Sequence, residues 1–164
     1  MRKVLAVALV AVLVLLITSA STPSTTAEGK GVISCVIDIQ VICEDAACAL
    51  GHWEGPITGC AALEGMTIQF WETDRNFLPG RTEHFFENFY ILDGDVTLAS
   101  GHNKGLWNFS TLKFRAEGWV DEATGELAYL KGYKFHEVGR TSDPGLWAPP
   151  EITVTGFGTV MTLR

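Results

Sequence analysis

The sequence predicts an all-β domain: a single small closed barrel of about eight antiparallel strands, with a two-sheet β-sandwich as the alternative. Three observations predict it. Short runs rich in Val, Ile, Thr, Phe, Tyr and Trp follow one another across residues 31–163. Turn chemistry separates them, as at Asp93-Gly94, Asn103-Lys104-Gly105, Ala123-Thr124-Gly125 and Asp143-Pro144-Gly145. Beyond residue 27 no stretch keeps the apolar spacing of a long helix. Closure favours a barrel because it removes the exposed edges that an open sheet must protect.

Residues 1–27 stand apart from this domain and read as an export signal with a short polar tail. Arg2 and Lys3 precede an unbroken apolar run over 4–17, and small residues follow at Thr18-Ser19-Ala20. The run is shorter than the roughly 20 apolar residues of a membrane-spanning helix. Cleavage is therefore expected, after Ala20 or Ala27, with no stable membrane insertion afterwards. The mature domain is 28–164 and is expected to be secreted or otherwise extracytoplasmic.

The first strands, 31–42 and 50–58, carry all four cysteines: Cys35, Cys43, Cys48 and Cys60. An even number in an exported chain, with no zinc spacing and no C-x-x-C pair, reads as disulfides. If the two strands form a hairpin turning at residues 44–47, Cys43 faces Cys48 and Cys35 lies near Cys60. That nested pairing is the expected one, since bridged Cα atoms lie within about 7 Å.

A strand over 66–72 comes next, and then 82–92 and 96–102 join through Asp93-Gly94. A turn on those two residues sets Phe89 opposite Leu98, Glu87 opposite Ser100 and Phe85 opposite His102. Strands 112–121 and 126–138, turning around Ala123-Thr124, set Gly118 opposite Tyr129, Ala116 opposite Lys131, Phe114 opposite Tyr133 and Leu112 opposite Phe135. Small residues then meet large ones, as a narrow interior requires, while Lys113, Arg115, Glu117 and Lys134 face water. An irregular loop over 141–150 leads to a last strand at 152–163.

The expected interior is aromatic with a few polar residues among the rings: Phe85, Glu87, Phe89, His102, Phe114, Tyr129, Lys131 and Tyr133 form the candidate ligand-binding set. A charge inside a barrel is costly unless paired, hydrogen-bonded or wet, so Glu87, His102 and Lys131 mark either a pocket or a solvated rim. No catalytic constellation is visible and no cofactor is implied. His52, His84 and His136 show no metal-ligand spacing, so no metal is expected. Asn108-Phe109-Ser110 matches the N-glycosylation sequon.

Charge excludes one class of partner. The chain has 12 basic and 19 acidic residues, net −7, and loss of Arg2 and Lys3 makes it more acidic still. Nucleic acid is thus not an expected partner. Nothing in the pattern specifies an oligomeric state.

The stretch Phe114-Arg115-Ala116-Glu117-Gly118-Trp119-Val120, followed by Thr124-Gly125-Glu126 and a pairing strand, resembles the late hairpin of allene oxide cyclase and dirigent barrels. The resemblance spans about a quarter of the mature chain and lacks the family's glycine-rich lead-in, which 106–111 replaces. It implies an eight-stranded barrel with a hydrophobic cavity that binds apolar molecules or guides their cyclisation, and it carries over no catalytic residue. The expected function is an exported barrel that binds a small apolar molecule. The alternatives are a cyclase or isomerase using Glu87 or Lys131, and a filled structural barrel.

Overall fold

The computed structural model describes residues 31–44, 51–142 and 156–164. Within them the strands are β1 Ile33–Ile37, β2 Gln40–Cys43, β3 Gly51–Thr58, β4 Thr67–Leu78, β5 Thr82–Asp93, β6 Val96–Asn108, β7 Lys113–Ala123, β8 Lys134–Thr141 and β9 Gly156–Leu163. Each of β3 to β8 pairs with the next, β9 pairs with β8 and β1, and β1 returns to β3 through Val36–Thr58 and Ile37–Ile57. The result is a closed antiparallel barrel of eight strands, with β2 as one extra strand on β3. The segment expected to be an export signal, 1–27, and most of the loop expected over 141–150 lie outside the described residues. Among those described, no helix is long and apolar enough to cross a membrane.

Several elements differ from the sequence expectation, each for a local reason. The strand expected over 31–42 is split at Asp38 and Ile39, where the Asp38 carbonyl crowds Gly55 so closely that a Cβ there would meet it at 2.0 Å. The turn expected at Asn103-Lys104-Gly105 is the middle of β6. Asn103 pairs with Glu87 and Gly105 with Phe85, and a Cβ on Gly105 would lie 2.1 Å from the Phe85 ring. These polar and small residues therefore serve the interior, not a turn. The same complementarity recurs in the cross-strand pairs Phe89–Gly101, Phe114–Gly139 and Phe135–Gly118.

The larger correction concerns 126–138. Its first half is a 3₁₀ helix, Gly125–Leu130, and β8 begins only at Lys134. Leu127 and Leu130 are fully buried against the core, so hydrophobic burial, with Gly125 at φ 58°, overrides the strand pattern. The β7–β8 register moves accordingly, to Ala116–Glu137 and Gly118–Phe135.

One end of the barrel is filled. Ile37, Ile57, Leu63, Ile68, Val120, Met161 and Leu163 pack there around a ring cluster, with Phe89 stacked on Phe135 at 4.5 Å and Phe70 edge-on to Phe135 at 6.0 Å. Cys35 and Cys60 are bridged, with Cα atoms 5.0 Å apart, tying β1 to the segment after β3. This is the outer bridge of the expected nested pair, and disulfides form and persist mostly in oxidising environments. Cys43 is also disulfide-bonded, and Cys48, its expected partner, lies outside the described residues.

Candidate functional site

Above the floor made by Phe70, the opposite end of the barrel holds a pocket. Its apolar wall is Ile39, between β1 and β2, with Trp53 of β3, Phe85 of β5, Trp107 of β6 and Phe114 of β7. The Trp107 indole donates to Thr141 Oγ1 at 3.1 Å and meets Trp53 edge-to-face at 5.8 Å, which fixes the ring's orientation. The cavity is small, with a volume of ≈ 40 Å³.

Four acids enter this aromatic space: Glu72, Glu83, Glu87 and Glu137. Strand alternation places Glu83 and Glu87 on the inner face of β5 with Phe85 and Phe89, and Glu137 on that of β8 with Phe135. Glu83, Glu87 and Glu137 are 1%, 7% and 2% exposed. Glu72 lies directly opposite Glu87, a like-charge pair that a sheet ordinarily avoids. A bulge between Glu72 and Asp74 lets Arg75 turn to the same rim. Its guanidinium reaches Glu72 at 2.6 Å and stands 3.9 Å from Glu83 Oε1. Glu83 Oε1 is buried without a hydrogen-bond partner.

Burial is the main cause of the acids' altered proton affinity. It lifts Glu87 to about 8, with the charges of Glu72 and Glu83 pushing the same way and the adjacent Asn103 carboxamide opposing. Neither Nδ2 nor Oδ1 of Asn103 completes a well-formed hydrogen bond. Glu83 rises to about 7 through burial and Glu72, against the pull of Arg75. Burial, then Glu87, holds Glu137 well above the ordinary carboxyl range, and burial raises Glu72 against Arg75. Near neutrality the cluster therefore contains protonated acids that can donate hydrogen bonds, beside carboxylates that can only accept them.

Of the candidate residues, Phe85, Glu87 and Phe114 line the pocket. Phe89 lies below, in the filled core, and Tyr133 is buried in that same core. His102 faces outward, 55% exposed, and bonds Asp121 at 2.6 Å. The cause is a bulge after Ile91: Ile91 pairs with Ala99 but Leu92 with Thr97, so Leu98 is the extra residue and every β6 side chain beyond it changes face. Ser100 is displaced from the interior with it, while Leu98 stays partly buried against the core. Tyr129 and Lys131 leave the barrel because the 3₁₀ helix and its C-cap replace strand there. Tyr129 is 49% exposed, and the Lys131 side chain, 56% exposed, pairs with Glu122 at 2.7 Å.

Sequence reasoning missed Glu83, Glu137, Trp53 and Trp107. Two signals were present: Glu83 shares the parity of Phe85 and Glu87, and Glu137 that of Phe135. Among the described residues no group of three or more His, Cys, Asp or Glu is arranged to hold a metal ion. No family model, curated protein or solved structure matches this chain.

Proposed function

We propose that this protein is an exported binding barrel that holds a small, largely apolar molecule in the pocket at its open end. The supporting observation is the asymmetry of the interior. One end is packed solid, while the other keeps a cavity between Trp53, Phe85, Trp107 and Phe114 into which buried acids project. Apolar walls with a few convergent polar groups are the usual make-up of a small-molecule site. Export rests on the apolar leader and the paired cysteines. The resemblance of the β7 sequence to allene oxide cyclase and dirigent barrels points to the same kind of ligand.

A second reading, proton transfer in an isomerase or cyclase, draws on Glu83 and Glu87, whose carboxyls burial pushes up to about 7 and about 8. Native mass spectrometry of protein purified from its source tests the binding reading. A retained mass that disappears in Ile39→Phe, whose larger side chain fills the pocket, is the expected result. An unliganded spectrum together with unchanged behaviour of Ile39→Phe rejects it, and steady conversion of an added substrate that stops in Glu87→Gln favours the second reading.

A further inference from the structure

Resting on the reading that this pocket takes a ligand, we propose that the group it receives is a small organic cation, an alkylammonium head whose carbon chain leaves through the rim. Two independent features converge on that chemistry. The first is the wall: the rings of Trp53, Phe70, Phe85, Trp107 and Phe114 surround the space, and aromatic faces attract cations most strongly where water is excluded. The second is the set of acceptors. Glu83, Glu87 and Glu137 are buried beside the cavity, and Glu83 Oε1 carries no hydrogen bond.

Burying several acids among rings is costly unless a donor or a positive charge meets them. Arg75 meets Glu72 closely and Glu83 only at 3.9 Å, while Glu137 faces Glu87, another acid. A wholly apolar ligand would leave these acceptors as they are, and an anion would add to their repulsion. An ammonium group supplies N–H donors to the carboxyls and charge to the rings at once. Size favours a compact head: the cavity, ≈ 40 Å³, suits a primary ammonium group whose carbon chain runs out to the rim. The chain's net charge of −7 attracts cations over longer range.

Isothermal titration calorimetry of the folded chain with n-butylammonium, n-butanol and butanoate tests the proposal. The ammonium ion is expected to bind at least about tenfold more tightly than the alcohol, which matches it in shape, with butanoate weakest. The double variant Glu83→Gln/Glu137→Gln is expected to remove that preference, bringing butylammonium and butanol to similar affinities. Arg75→Gln, at the rim, is expected to strengthen ammonium binding by removing a competing cation. Butanol binding as well as or better than butylammonium overturns the cation assignment and leaves the pocket reading standing. Failure of all three probes to bind overturns both.

Discussion

Replacing Glu87 by Gln changes how stability depends on pH, and the size of the change follows from the buried acids. In the folded chain Glu83 and Glu87 hold protons up to about 7 and about 8, whereas an unfolded glutamate releases its proton near 4.5. Between those values the folded state binds more protons than the unfolded one. Stability therefore is greatest at low pH and falls as pH rises, by up to about 1.4 kcal/mol per pH unit for each acid, until the folded-state value is passed. For Glu87 the ceiling is about 5 kcal/mol, and relaxation and water entry make about 2 to 3 kcal/mol the working expectation. Glutamine keeps the shape without the charge. The variant should match the wild type at about pH 5 and exceed it by that margin at about pH 9. Urea unfolding followed by tryptophan fluorescence reads this as a midpoint about 1 M higher at the alkaline end, taking a slope of about 2 kcal/mol/M. Parallel pH profiles for the two proteins, or a wild type that gains stability as pH rises, would refute the burial argument.

The other predictions concern packing, the bridge and the rejected lysine. Gly105→Ala pushes a methyl into the Phe85 ring and against the Arg115 carbonyl, so a loss of about 2 kcal/mol or more is expected in denaturant unfolding. Opening the Cys35–Cys60 bridge, which spans 25 residues, by Cys35→Ala/Cys60→Ala should lower stability by roughly 3 kcal/mol, read as a fall in thermal midpoint. Lys131→Met removes only an exposed pair with Glu122, so stability should change by less than about 1 kcal/mol with ligand binding unaltered.

How far the sequence disclosed this molecule depended on whether a feature was local. Alternation over Glu83, Phe85, Glu87 and Phe89 puts all four on one face of β5, and no later event along that strand disturbs it. Alternation on β6 is equally regular, yet His102 lies outside, because the single extra residue Leu98 reverses the face and a bulge leaves no mark in composition. The glycine at 105 looked like a turn because its actual cause, the Phe85 ring opposite, is a contact between strands. Residues 126–131 hold a single typical strand former, Tyr129, and Leu127 and Leu130 are buried there as a plug, so the strand expected from the flanking pattern gives way to a 3₁₀ helix. The pocket itself depends on closure. Trp53, Trp107 and Glu137 come from β3, β6 and β8, and only the β1–β3 and β1–β9 pairings bring such distant strands around one space.

The indole N–H signals in a two-dimensional ¹H–¹⁵N NMR titration test the binding pocket most directly. Trp53 and Trp107 line it, whereas Trp119 lies on the outer surface, 45% exposed, and serves as an internal control. On addition of n-butylammonium or n-butanol, the Trp53 and Trp107 signals should move together and saturate while Trp119 stays in place. Movement of Trp119 alone, or no saturable shift at Trp107 with any small amphiphile, would contradict a ligand site at this end of the barrel.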